Sequence, residues 1–122
     1  MKRDMEYVRE LLLQIEEKYP IEDQSVVDDN YYIKTEKEKY HLQLLIEAGF
    51  INGEINFDGE EDYIQDCRLT WAGHEFLDNV RDNSIWEKIK RCCKEKSVDL
   101  SIEAIKAVIP IVIKMILSGV RQ

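Results

Sequence analysis

Apolar and polar residues alternate along this chain with two periods, one typical of helices and one typical of strands. Apolar side chains recur every three or four residues, which places them on one face of an α-helix. This spacing predicts helices over residues 4–18, 35–48, 71–81, 85–96 and 102–120. Residues 50–57 and 63–69 alternate roughly as half-buried strands do, and Asp58-Gly59 between them favours a hairpin turn.

Residues at the helix ends support these boundaries. Pro20 ends the first helix, because the residue before a proline is disfavoured in the helical conformation. Thr35 with Glu38 fits a capping box, and Gly49 supplies the left-handed residue that often follows a helix. Thr70 is a suitable N-cap for the third helix, whose predicted apolar stripe consists of Trp71, Phe76, Leu77 and Val80. Ser84, with Glu87 three residues later, and Ser101 are the predicted N-caps of the last two helices.

Residues 20–35 have a looser pattern. Val26-Val27 and Tyr31-Tyr32-Ile33 are separated by Asp28-Asp29-Asn30, a turn signal, so one short strand is expected here. The stretch 35–48 forms either one helix or two helices joined by a tight turn. The element order predicts a mainly α (α+β) fold, namely a winged-helix-like domain with a small antiparallel β-hairpin wing and additional C-terminal helices. We expect this domain over 1–98 and an apolar C-terminal helix over 99–122.

Three sequence blocks carry a family resemblance. They are Lys2-Arg3-Asp4-Met5; Tyr40-His41-Leu42 through Leu45 with Glu47-Ala48-Gly49; and Leu69-Thr70-Trp71 with Gly73-His74-Glu75-Phe76-Leu77-Asp78 and Arg81-Asp82. Together they resemble the bacterial and prophage-borne family called domain of unknown function 2513. The resemblance covers most of the chain and implies a winged-helix variant from phage-derived regions, with no assigned activity. The Leu-Thr-x-x-Gly order is also similar to small bacterial winged-helix repressors.

Charge changes the functional expectation for such a fold. The net charge is -8, and residues 1–66 carry 7 basic and 18 acidic side chains, against 10 and 7 in residues 67–122. A DNA-binding winged helix would place Lys34, Lys37 and Lys39 against DNA. The predicted wing, residues 54–66, has six acidic side chains and no basic one, so phosphates would repel it. The basic residues from Arg81 to Lys96 are interpreted as a solvated helix face. DNA binding is therefore the alternative function.

Residues suited to catalysis or metal binding are few. His41 and His74 have no serine or cysteine partner at a motif spacing, so both are interpreted as structural. The acidic run 58–62 lacks the alternating ligands of a calcium loop. We therefore predict no enzymatic activity, no cofactor and no metal. The three cysteines form no CxxC pair, and the N-terminus lacks a signal peptide, which favours a reduced, cytoplasmic protein.

The last predicted helix is apolar almost all round. Pro110 is expected to kink or divide it. Its apolar stripe is the predicted homodimer surface and consists of Ile105, Ile109, Val112 and Ile116. The alternative is that this helix lies in a groove of its own domain. It has no strongly polar face for a membrane surface. The sequence therefore predicts a non-enzymatic binding protein, expected to be a homodimer with a possible protein partner.

Overall fold

The computed structural model describes residues 1–18 and 30–119. In these ranges the chain forms five helices and five short strands, which confirms the predicted α+β class. They are α1 (Met5–Lys18), β1 (Asn30–Tyr32), α2 (Glu36–Glu47), β2 (Ile51–Asn52), β3 (Ile55–Phe57), β4 (Asp62–Gln65), β5 (Arg68–Leu69), α3 (Trp71–Val80), α4 (Asn83–Glu95) and α5 (Ile102–Leu117). The predictions for Pro20, Val26-Val27, Asp28-Asp29 and Val120 lie outside the described residues.

The first helix buries its predicted apolar face. Asp4 caps it, since the Asp4 carboxylate accepts the Tyr7 backbone N–H at 3.2 Å. The buried apolar residues are Met5, Val8, Leu11, Leu12 and Ile15. Arg9 is also buried, with only 8% of its surface exposed, although its charge predicts a solvated position. The apolar period therefore identified the core face and missed the one charged residue beside it.

The predicted hairpin does not form two long strands. Its strands belong to two small sheets instead. β1, β4 and β3 form an antiparallel sheet in the order β1-β4-β3, while β2 pairs with β5 alone. Gly53 lies between β2 and β3 with a φ of 123°. A Cβ at this position would lie 2.3 Å from the Ile64 methyl carbon, so the bend brings backbone directly against the core. Asp66, with a φ of 53°, separates β4 from β5.

Thr70 joins the end of α2 to the start of α3. Its hydroxyl donates to the Gly49 carbonyl and accepts the Gly73 N–H at 3.1 Å. Its backbone N–H donates to the Phe50 carbonyl at 2.9 Å. Gly49 has a φ of 76°, the left-handed conformation predicted for a helix end. Both the predicted Thr70 cap and the predicted Gly49 stop are therefore confirmed.

The region from Thr35 to Ala48 is a single helix, so the two-helix alternative is not realised. The Thr35 hydroxyl accepts the Glu38 N–H at 3.0 Å, as the capping box predicts. The Glu38 carboxylate accepts the backbone N–H of Lys34 at 2.9 Å. The buried face of α2 is formed by His41, Leu42 and Leu45. Tyr40 and Leu44, which the apolar pattern placed at the centre of this face, are only half-buried.

Trp71 is a correction to the predicted core. The helical pattern assigned it to the apolar stripe of α3, but 81% of its surface is exposed. Its indole N–H donates to the Glu75 carboxylate one turn later, at 2.7 Å. Phe76 on the same helix is buried and stacks on Phe50, with ring centroids 5.0 Å apart. The core face of α3 is therefore rotated away from its first residue.

The last two helices pack on each other. Of their two predicted N-caps, the one for α4 is wrong and the one for α5 is confirmed. Asp82 caps α4 by accepting the Ile85 N–H at 2.9 Å, so the prediction of Ser84 was wrong. Asp82 is an equally strong capping residue, and Ser84 instead accepts a hydrogen bond from Lys88. Ser101 caps α5 as predicted, accepting the Ala104 N–H at 3.1 Å. Helix α5 continues through Pro110 without being divided.

The chain forms two compact units, Met1–Leu77 and Asp78–Gln122. The first contains α1, α2 and both sheets, and the second contains α4 and α5. The predicted boundary at residue 98 stays a prediction. None of the helices in the part of the chain that the structure describes is long and apolar enough to cross a membrane.

Gly73 provides a test of the junction at Thr70. Its ideal Cβ would lie 2.1 Å from the Phe50 carbonyl oxygen, so alanine there must displace backbone. Helix propensity alone would favour Gly73→Ala by about 1 kcal/mol. We expect instead a loss of about 1–3 kcal/mol in the free energy of unfolding, as overpacking produces. Urea titration followed by circular dichroism measures the change.

The control is Ala72→Gly, at the exposed neighbouring position in the same helix. It should cost about 1 kcal/mol through propensity alone. If Gly73→Ala proves stabilising, close packing is not the reason for glycine at this position.

Candidate functional site

The lysines predicted to contact DNA lie at the N-terminal end of α2, where acidic groups surround them. The Lys37 ammonium lies 3.3 Å from the Asp4 carboxylate and 4.5 Å from the centre of the Tyr7 ring. The Lys39 ammonium lies 3.2 Å from the Asp62 carboxylate of β4. Lys34 is exposed. Two of the three lysines are therefore already neutralised by the fold, so few charges remain for phosphates.

The tip of the β3–β4 hairpin is acidic and ordered by Asp58. Its carboxylate accepts the backbone N–H groups of Glu60 and Glu61, both at 2.9 Å. Both hydrogen bonds lower the pKa of the Asp58 carboxyl, because they stabilise its ionised form, and the bond from Glu61 has the larger effect. An open cleft of about 370 Å³ adjoins the tip. It is lined by Ile33, Lys34, Thr35, Glu36, Phe57, Glu60, Glu61 and Asp62.

His41 is fully buried and acts as a connector. Its Nδ1 lies 2.8 Å from the Lys37 carbonyl oxygen, and its Nε2 accepts the Asp4 backbone N–H at 2.9 Å. A neutral ring that donates through Nδ1 satisfies both contacts. The edge of the ring also meets Tyr7, with centroids 5.0 Å apart. With both nitrogens occupied and no exposed surface, this ring has no free position for a substrate.

His74 is placed differently, at a half-exposed position of α3. Its Nδ1 lies 3.8 Å from a carboxylate oxygen of Glu16, close enough for an ion pair when the ring is protonated. The structure therefore does not bring His41 and His74 into one arrangement with a nucleophile. Their interpretation as structural residues stays a prediction.

Two of the three cysteines, Cys67 and Cys93, also lack the surroundings of reactive thiols. Cys67 is fully buried, and burial raises the pKa of its thiol to about 11 despite the nearby Arg68. Burial likewise raises the pKa of the Cys93 thiol, with a further contribution from Cys92. The thiolate is the nucleophilic form, so a raised pKa lowers reactivity. Within residues 1–18 and 30–119, no three His, Cys, Asp or Glu side chains are grouped as a metal site would require.

Helix α5 has a buried face and an exposed apolar face. The buried face contains Ala104, Ile105, Val108 and Val112. Two predicted dimer residues, Ile105 and Val112, are therefore covered within the chain itself, at 0% and 1% exposure. Ile109 is half-buried, and Ile116 is 43% exposed. The predicted stripe thus combines residues from two faces of the helix.

Two exposed residues next to that stripe, Ile113 and Leu117, were not among the predicted dimer residues, whereas Ile109 and Ile116 were. Ile109, Ile113, Ile116 and Leu117 are three or four positions apart and share one side of the helix, and we call them the α5 patch. Ile113 is 44% exposed and Leu117 is 81% exposed. Periodicity does not separate the two faces, because α5 is apolar almost all round. Phe57, at 66% exposure on β3, was missed for a similar reason, since alternation alone predicts a half-buried side chain.

Comparison with known proteins gives a family but no activity. Residues 2–99 match the family described as "Hypothetical protein (DUF2513)". A protein from Haemophilus influenzae, described as "Uncharacterized protein", is 34% identical over 119 residues, which cover 97% of this chain and 100% of the relative. No solved structure matches the chain. The family match ends before α5 begins at Ile102, whereas the alignment with the relative spans nearly the whole chain.

The two histidines give a matched test of the buried connector. His41→Leu keeps an apolar side chain in the core but leaves the Asp4 N–H without its acceptor. We expect the free energy of unfolding to fall by about 1–3 kcal/mol, the usual cost of an unsatisfied buried group. His74→Leu, at a half-exposed position, should change it by less than about 0.5 kcal/mol. Urea titration of both variants measures the difference, and an equal effect would contradict the connector role of His41.

The thiols give a second test, by alkylation of the folded protein at pH 8. We expect iodoacetamide to modify Cys92, which is partly exposed, much faster than Cys67 or Cys93. Peptide mass spectrometry after a time series identifies the modified positions. Unfolding in urea should make all three thiols reactive, which controls for intrinsic differences. Rapid modification of Cys67 in the native protein would contradict its burial.

Proposed function

This chain belongs to the DUF2513 family, and we propose that it is a non-enzymatic protein-interaction module that self-associates through the α5 patch. The helix–hairpin–helix order supports a winged-helix relationship for the first unit. The proposal places the protein in the cytoplasm, where its unpaired cysteines would stay reduced.

The observation that carries the proposal is the exposure of the α5 patch. Ile113, Ile116 and Leu117 are 44%, 43% and 81% exposed, side by side at the end of one helix. Scattered exposed aliphatic residues are common on protein surfaces, but adjacent ones tend to mark interfaces. None of the four patch residues is charged, so the patch is compatible with a copy of itself. An isologous dimer requires just this kind of self-complementary surface.

The size of the patch sets the strength of the association. The three exposures together amount to somewhat less than two fully exposed aliphatic side chains. Burying that much surface contributes about 2.5–5 kcal/mol from each copy, since one such side chain contributes about 1.5–3 kcal/mol. Association itself costs about 4–15 kcal/mol. At most about 6 kcal/mol remains, so the expected dimer is weak and reversible, with a dissociation constant between about tens of micromolar and millimolar.

The alternative, DNA binding by the α2 lysines, gains no support from the described surface. Lys37 and Lys39 are paired with Asp4 and Asp62, and the neighbouring hairpin tip is acidic. Each pair would have to open, and the hairpin carboxylates would still face the phosphates. We therefore keep protein interaction as the proposed function.

The proposal is tested by two lysine substitutions in the same helix. Leu117→Lys places a charge in the α5 patch, whereas Ile111→Lys places the same charge on the opposite, also exposed side of the helix. We expect the intact protein to gain mass with concentration in sedimentation equilibrium. Leu117→Lys should weaken the association at least about tenfold, a cost of about 1.4 kcal/mol. Ile111→Lys should behave as the unaltered protein does.

Circular dichroism of both variants confirms that any change is not loss of folding. A lysine near the C-terminal end of α5 is compatible with the helix dipole, so Leu117→Lys should remain helical. A protein that is monomeric at every concentration up to about 1 mM, or equal weakening by both substitutions, would contradict the proposal.

A further inference from the structure

The sheet of the first unit has an open edge at β3. In the order β1-β4-β3, β3 has a partner on one side only. Asn56 lies opposite Tyr63 and Phe57 opposite Asp62. The Asp58 N–H donates to the Glu61 carbonyl, so 58 and 61 form a hydrogen-bonded pair, and such pairs alternate along an antiparallel ladder. The backbone groups of Asn56 therefore face β4, while those of Ile55 and Phe57 face outward.

The outward groups are unpaired within the part of the chain that the structure describes, and the core face continues to this edge. Ile55 lies opposite Ile64, which lies opposite Tyr31, so these three side chains share one face of the sheet. Ile64 and Tyr31 are buried, and Ile55 is half-buried. Phe57, two residues after Ile55, belongs to the same face and is 66% exposed. An added strand would cover Ile55 and Phe57 and extend the apolar face by one strand.

A second copy of this chain is a poor occupant of this edge when it pairs symmetrically about Asn56. A two-fold antiparallel pairing about Asn56 would place Glu54 of each copy opposite Asp58 of the other. Like charges directly opposite each other on neighbouring strands are destabilising. Glu54 and Asp58 are exposed and lie two residues before and after Asn56. Their side chains are therefore on the same side of the sheet as that of Asn56, which is the solvent face. The same carboxylates would attract cationic side chains at alternate positions of a different strand.

We propose that the β3 edge binds an extended segment of another protein whose residues alternate between apolar and cationic. The segment adds antiparallel to β3. Its apolar side chains cover Ile55 and Phe57, and its lysine or arginine side chains face Glu54 and Asp58. Main-chain hydrogen bonds supply the binding and the alternating side chains supply the selectivity, as in other cases of strand addition. This surface and the α5 patch consist of different residues, so the proposal does not depend on self-association.

The probe is an N-acetylated, C-amidated octapeptide of alternating valine and lysine, added to the full chain at about 0.15 M ionic strength, where distant charges are screened. Amide hydrogen exchange by NMR provides the readout. In the free protein, the Ile55 and Phe57 amides should exchange quickly, whereas the Asn56 amide, which faces Tyr63, should be protected. With the peptide in excess, the exchange of Ile55 and Phe57 should slow at least about tenfold, and Asn56 should remain protected.

Three matched comparisons separate strand addition from general attraction to an acidic protein. In antiparallel addition, the valine amides of the peptide face β3, so N-methylation of the valines should abolish the protection, whereas N-methylation of the lysines should not. A valine–glutamate peptide should not bind. Glu54→Lys should weaken binding at least about tenfold, whereas Glu47→Lys, the same charge change at an exposed position of α2, should leave it nearly unchanged.

The following outcomes would contradict the proposed strand addition. Protected Ile55 and Phe57 amides in the free protein would show that the edge is not open, and they would overturn the proposal. So would the absence of any protection by the valine–lysine peptide at millimolar concentration. Binding that survives N-methylation of the valines, or that falls equally in both charge variants, would mean that the peptide is held by charge alone. The Leu117→Lys variant should bind the peptide normally, so failure of self-association would not be mistaken for failure here.

Discussion

The carbonyl of Phe50 and the hydroxyl of Thr70 hold the junction on which the first unit depends. Phe50 accepts the Thr70 N–H, and Gly73 comes so close to the same carbonyl that a Cβ would overlap with it. The Thr70 hydroxyl donates to the Gly49 carbonyl just after α2 and accepts the Gly73 N–H in the first turn of α3. These bonds satisfy helix-end groups that would otherwise need water. The direction in which α3 leaves the hairpin is therefore set within four residues, and the stacked Phe50 and Phe76 rings follow from it.

A second constraint is the buried polar contact between α1 and α2. His41 holds the Asp4 N–H at the start of α1, while its other nitrogen contacts the Lys37 carbonyl within α2. Lys37 in turn pairs with the Asp4 carboxylate, whose pKa is lowered first by the Tyr7 N–H and then, among other groups, by Lys37. His41, Lys37 and Asp4 are residue types that are common in active sites, but here they hold the first turns of α1 and α2 together.

The two proposed binding surfaces rely on different physics. The α5 patch offers aliphatic side chains, so its affinity depends on the area removed from water. The β3 edge offers backbone donors and acceptors whose partner is selected by the charges beside them. A module with both surfaces has one for a second copy of itself and one for a strand of another chain. The acidic hairpin, which opposes DNA binding, becomes useful in this arrangement because it favours a cationic partner.

The sequence by itself determined the features that depend on neighbouring residues. Thr35, Gly49, Thr70 and Ser101 act as the local patterns predict, because a cap or a left-handed turn involves residues only a few positions apart. The helix-hairpin-helix order and the α+β class followed from the same periodicities. The prediction of Ser84 failed because Asp82, two residues earlier, is an equally good cap, and a local pattern cannot rank the two.

Only the tertiary structure decided which side of each element is covered. Trp71 and Phe57 fit apolar patterns yet are exposed, whereas Arg9 and His41 are polar yet buried. On α5, nearly every position is apolar, so the period could not separate Ile105, at the core, from Leu117, at the surface. The division of the hairpin at Gly53 likewise depends on Ile64, eleven residues away in the sequence and in contact only after folding. Burial is a property of distant residues that pack together, and a local pattern contains no information about that packing.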